Sequence, residues 1–244
     1  MQMKANHLRW FGVFSILAIV IFSYVDRINV SVLITNQHFL NYLGIAGDRV
    51  AQGELMTLFL IGYGIAAFFL SPIYETFLGV RKGLLISIFI WGFFTIISPF
   101  AGTVTLFLLF RFFLGASEGP LFSLKTMYVK DEFKVNERGK PNAITSMGVS
   151  IGLAIGFPII TFLIYQFDWK MSFYILGLLN LIIGVPLIYF FIRTTKANNT
   201  NQNHHTSKLT FQGLGKTMRL IGWLSQNQPS FIALIKPMKH FHMR

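Results

Sequence analysis

FSYVDRINVSV, residues 22–32, closes an apolar run that begins near residue 9. The run is long enough for the ~20 residues of a membrane-spanning helix. Asp26 and Arg27 lie inside it, where a charge near the bilayer centre costs at least about 3 kcal/mol. An acid and a base persist in such a place when they face a bundle interior or a water-filled cavity and have partners there.

The rest of the composition agrees with a membrane chain. Of 244 residues, 53% are hydrophobic, 27 are phenylalanine and only 12% are charged, against about 25% charged in soluble domains. Six apolar stretches, near 9–31, 54–74, 83–101, 104–128, 142–165 and 171–192, predict six spanning helices. The first is not a secretory signal, because it is followed by further spans and lacks a small-residue cleavage site.

The net charge of +12 reflects orientation rather than nucleic-acid binding, since no basic face interleaves with stacking aromatics. Lys4, Arg9, Arg81, Lys82, Lys130, Lys134, Arg138, Lys140, Arg193 and Lys196 flank one side of the spans, while the other has only Arg49 and Lys170. The positive-inside rule then puts both termini in the cytoplasm of a plasma-membrane protein. Domains are expected at 1–192, the six-helix bundle, and 193–244, a polar loop followed by a basic tail. The tail either lies on an anionic membrane surface or is a disordered or non-native end.

The fourth span carries Arg111, Glu118 and, near its cytoplasmic end, Lys125. Arg111 and Glu118 are seven residues apart, so they share one helix face at roughly 10 Å. Two readings remain open: structural ion pairs that staple helices, or a kit for moving an anion together with protons. An arginine fork binds carboxylate bidentately, and a buried acid can change protonation as an anion comes and goes. Gly148, Gly152 and Gly156 form a second feature with two readings, tight helix packing or a sliding interface. Gly115 and Gly119 repeat it around Glu118.

Other chemistry finds no support. With no cysteine, thiolate metal sites are excluded, and His204-His205 and His240-x-His242 lack placed partners. GLGKT at 213–217 does not have phosphate-loop spacing, and the spans contain no histidine for a hydrolase. No catalytic residue, cofactor or metal is expected.

YVDRINVSV, RFFLGASEGPLF, NERGKPNAITSMGVSIGLAIGFP and WKMSFYILGLLNLIIGVPLIYF together resemble the major facilitator superfamily, within it the anion:cation symporters. The resemblance implies an all-α membrane protein of six transmembrane helices, two inverted three-helix repeats at 9–101 and 104–192 that make the amino-terminal half of the fold. It implies that Asp26 and Glu118 couple protons. Arg27 and Arg111 would manage the substrate carboxylate and the acids, Arg27 acting on its neighbour Asp26. Tyr24, Tyr63 and Thr126 would contact substrate. The loop holding Glu75, Gly79, Arg81 and Lys82 would gate.

Three departures from the family pattern stand out. The gating loop reads SPIYETFLGVRK, with Ser71, Glu75 and Thr76 at fixed positions. Thr126 replaces a usual asparagine, and Lys125 a small residue. The resemblance of the motifs ends near residue 220, where a carboxy-terminal half would follow. The expected function is proton-coupled carriage of a sugar acid (hexuronate, aldonate or aldarate) by a truncated half-transporter. Sodium is the alternative coupling ion, and a remnant or a partner subunit of a two-chain carrier is the alternative role. The expected partners are a small organic anion, protons, the lipid bilayer and the missing half, with no nucleic acid.

Overall fold

Without water to hydrogen-bond, the backbone of an apolar run must satisfy itself internally, and these runs do so as helices. The computed structural model describes residues 2–192, with side chains from Leu8 onward; the expectations for 193–244 lie outside the described residues. Helix α1 is Gln2–Leu33, and a short α2, Gln37–Leu43, follows it. The sequence reading missed α2, a seven-residue helix capped by Asn36, whose side chain accepts from the Phe39 N–H at 3.0 Å. Next come α3, Arg49–Ile73, and α4, Gly79–Ile97, joined by a π-helical turn at Tyr74–Leu78. Then α5, Val104–Glu118, and α6, Leu121–Glu132, flank Gly119-Pro120. Helix α7 is Gly139–Gln166. Finally α8, Trp169–Leu179, runs through a second π-helical turn, Asn180–Gly184, into α9, Val185–Phe191.

Helical structure continues for 52 residues from Arg49 to Phe100, about 78 Å if straight. That is more than twice the ~30 Å hydrocarbon core, so the stretch holds two crossings. They part at Gly79, whose φ of 70° suits a residue without Cβ. The described residues therefore make six crossings: α1, α3, α4, α5–α6, α7 and α8–α9.

Close contacts give their directions. Gly148, Gly152 and Gly156 of α7 meet Val20, Tyr24 and Ile28 of α1 in rising order, so the first and fifth crossings are parallel. Gly115 and Gly119 meet Phe59 and Tyr63, so the second and fourth are parallel as well. Ile88 lies on Gly184 and Ile96 on Gly177, so the third and sixth are antiparallel. Gly12 meets Tyr128 while Ser23 reaches Glu118, so the first opposes the fourth. Exchanging the first three crossings with the last three maps the first–fifth contact onto the fourth–second contact, and the third–sixth contact onto itself. Two inverted three-helix repeats produce this pattern.

The glycine stripes are tight packing. A Cβ at Gly152 would lie 2.9 Å from the Ile21 carbonyl oxygen, and one at Gly119 would lie 2.6 Å from that of Tyr63. Only a residue without a side chain lets those backbones approach so closely.

The two ends of the bundle are distinct. At one, Arg9 pairs with Glu137 at 3.0 Å and Arg81 donates to the Tyr189 carbonyl at 2.7 Å. At the other, the Tyr42 hydroxyl donates to the Pro99 carbonyl at 3.0 Å and the Tyr42 ring meets Trp169 at 5.1 Å.

Candidate functional site

The two glycine seams bring α1 and α5 close enough for their ionisable side chains to meet. Glu118 is fully buried, and its Oε2 accepts from Arg27 Nε and Nη2, each at 3.1 Å, and from the Ser23 hydroxyl at 2.7 Å. Its other oxygen, Oε1, is buried and makes no hydrogen bond among the described residues. The Arg27 side chain keeps 17% of its surface exposed. Its guanidinium is framed by the rings of Tyr24, Tyr63 and Phe59 at 4.7, 4.6 and 5.2 Å, where cation–π attraction holds it.

Arg27 therefore does not pair with its neighbour Asp26, which corrects the sequence expectation. Adjacent helical residues point about 100° apart, and Asp26 turns to the third and sixth crossings instead. Its Oδ2 accepts from the Trp91 indole N–H and from Asn180 Nδ2, the latter at 2.7 Å. Asp26 Oδ1 and Asn180 Oδ1 are buried without hydrogen bonds among the described residues. Asn180 is the first residue of the π-helical turn, a distortion found often at functional positions.

Arg111 shares the α5 face with Glu118 as expected, yet the two do not pair. No carboxylate oxygen lies within 4.0 Å of its guanidinium among the described residues. Arg111 is 1% exposed, rests on the Phe59 ring at 4.7 Å and donates Nε to the Leu55 carbonyl at 3.4 Å. Nη2 is buried without a partner among the described residues. Phe59 thus touches both guanidiniums.

The remaining expected residues lie apart from this cluster. The Thr126 hydroxyl donates to the Phe122 carbonyl of its own helix at 2.9 Å. Lys125 is buried, and its ammonium donates to Ser146 on α7 at 2.9 Å. The expected gating loop is a π-helical turn: Glu75 accepts from the Ser123 hydroxyl at 3.0 Å, Gly79 breaks the helix and Lys82 is exposed. Arg81 also lies over the Tyr189 ring at 4.5 Å, tying the third crossing to the sixth. Trp91, Asn180, Ser23 and Phe59 escaped the sequence reading. Asn180 and Ser23 carried a signal, as lone polar residues within apolar spans.

The model of the Major Facilitator Superfamily matches residues 16–239. This chain belongs to that superfamily. The match runs past residue 220, where the resemblance of individual motifs stops. A probable L-galactonate transporter of Escherichia coli is 27% identical over 165 residues, 68% of this chain and 35% of that protein. A probable galactarate/D-glucarate transporter of Bacillus subtilis is 29% identical over 188 residues, 75% of this chain and 40% of that protein. The chain thus spans less than half the length of these relatives. The inward-open xylose transporter of E. coli shares the fold, with a TM-score of 0.62 over 92% of this chain and 57% of that one, at 17% identity. The protein is a multi-pass membrane protein of a transporter family, not of an enzyme family.

The observed pairing predicts a thermodynamic signature. Removing one partner of a buried ion pair leaves an uncompensated charge, at a cost of about 3–5 kcal/mol. In a double-mutant cycle on thermal unfolding in detergent, Arg27→Met and Glu118→Gln should couple by about 0.5–3 kcal/mol. Arg27→Met with Asp26→Asn should couple less. Stronger coupling to Asp26 would mean that the guanidinium belongs to the neighbouring acid.

Proposed function

We propose that this chain provides half of the pathway of a secondary carrier for a small organic anion, a sugar acid, driven by protons. The observation that carries this reading is that Glu118 and a passing carboxylate would compete for one guanidinium, that of Arg27, whose side chain keeps 17% of its surface exposed. With Glu118 ionised, Arg27 is occupied. A proton arriving at Oε1 breaks no hydrogen bond that Glu118 now makes, and it removes the charge that holds Arg27. The fork is then free to take the substrate carboxylate bidentately, with Tyr24 and Tyr63 beside it for the hydroxyls.

Arg111 contributes a second positive charge to the same field, since its guanidinium reaches no carboxylate among the described residues. Asp26, held by Trp91 and Asn180, connects the site to the third and sixth crossings, so its protonation would reach the helices opposite those that bear Arg27 and Glu118. The relatives named as carriers of galactonate and of galactarate or glucarate support a hydroxylated carboxylate as cargo.

The basic flanks favour a plasma-membrane orientation with the end that bears Arg9, Arg81, Lys130 and Arg138 in the cytoplasm. In this cysteine-free chain, Asn136→Cys should react with an impermeant maleimide only from the inside; labelling from outside would reverse the orientation.

Transport itself is tested in vesicles reconstituted with the carrier and normalised to folded protein. Glu118→Gln keeps size and hydrogen bonding but fixes the uncharged state, so it should lose proton-driven concentrative uptake while counterflow of a labelled sugar acid continues. Arg27→Lys should weaken apparent affinity by about tenfold or more, because an ammonium cannot reproduce the fork. Full concentrative uptake by Glu118→Gln would make Glu118 a helix staple. Uptake that follows a sodium gradient at constant pH would replace the proton as coupling ion.

A further inference from the structure

Among the described residues, Lys125 is the one buried charged residue that the coupling scheme leaves unused. It is 5% exposed, and its ammonium makes a part-buried hydrogen bond at the α6–α7 contact. Its Nζ bonds the Ser146 hydroxyl at 2.9 Å, and no carboxylate oxygen lies within 4.0 Å of it among the described residues. A buried cation with no carboxylate partner is costly, and a ligand anion would relieve that cost.

Its position relates it to the site. The ammonium lies over the Phe122 ring at 4.6 Å. Phe122 meets Tyr24 edge-on, with centroids 6.5 Å apart, and the Tyr24 ring also lies against the Arg27 guanidinium at 4.7 Å. Two touching aromatic rings therefore separate the cation that would take a substrate carboxylate from a second cation with no counter-charge.

The charge balance gives this arrangement a meaning. In the loaded state Arg27, Arg111 and Lys125 are positive, Asp26 is negative and Glu118 has been neutralised. The net charge of these five groups is then about +2, taking each at its ordinary ionisation. A monocarboxylate leaves one positive charge uncompensated in a low-dielectric setting, whereas a dicarboxylate leaves none. We propose that Lys125 is a specificity-determining residue that anchors a second anionic group, so that the site prefers sugar diacids over sugar monoacids. This rests on the anion-carrier reading above and narrows its substrate class.

The probes are galactarate and L-galactonate, which differ by a carboxylate in place of a hydroxymethyl group. Binding to the 244-residue chain in nanodiscs is measured by calorimetry for wild type, Lys125→Met and Lys125→Arg, each checked for its thermal transition. Wild type should bind galactarate roughly tenfold to hundredfold more tightly than galactonate, the range of one charge-assisted contact. Lys125→Met, which keeps the apolar stem, should lose that factor for galactarate and little for galactonate. Lys125→Arg should keep the preference. Equal affinities in wild type, or equal losses for both probes in Lys125→Met, would overturn the proposal while the anion site stands. If wild type binds neither probe, the anion-site reading fails and this proposal falls with it. Should Lys125→Met not fold, the wild-type preference and its retention in Lys125→Arg still decide.

Discussion

The ion pair between Arg27 and Glu118 is the constraint on which the rest of the bundle depends. A carboxylate with no exposed surface, inside a helix that crosses a bilayer, persists only if donors reach it, and two crossings must come close for them to do so. The glycines arrange this. Gly115 and Gly119 set α5 against α3, and Gly148, Gly152 and Gly156 set α7 against α1. The two seams are equivalent under the exchange of the repeats, and they leave α1 facing α5 with Ser23, Arg27 and Glu118 in hydrogen-bonding range. The packing of small residues and the charge of the site are one piece of design. Widening either seam by a methyl group would shift the helices that carry the pair.

The pair is also unsymmetrical in a way that suits exchange. All three donors converge on one Glu118 oxygen, and the other oxygen is left bare. The same holds at Asp26, where Trp91 and Asn180 share Oδ2 and Oδ1 stays unpartnered. In the proposed coupling scheme, the acceptor that each acid leaves without a protein partner is where a proton would arrive. The adjacency of Asp26 and Arg27 in sequence conceals a division of labour: one faces the fourth crossing, the other the third and sixth.

Much of this was legible in the sequence, for physical reasons that can be named. The bilayer sets the length of an apolar run, so the six crossings and the interior charges could be read directly from composition. The glycine stripes follow from helical periodicity alone. Pairing could not be read in the same way. Which carboxylate Arg27 meets depends on the rotation of α1 relative to α5, a tertiary quantity with no local signal. Phe59 and Trp91 look like any aromatic among 27 phenylalanines and four tryptophans until the fold aims them. Gly79 was legible as a fixed position of the family's loop pattern, but the π-helical turn before it was not, because no residue type encodes that turn by itself.

The central claim is that a proton binding Glu118 frees Arg27 for a substrate carboxylate, so that proton and anion bind together. The most direct measurement is proton uptake on binding. Detergent-solubilised carrier in weakly buffered solution is titrated with a sugar acid while a pH indicator records the bulk proton concentration. The account predicts that wild type takes up a proton as the anion binds and that Glu118→Gln binds the anion without taking one up. Binding by wild type with no proton uptake, or uptake that persists undiminished in Glu118→Gln, would contradict it.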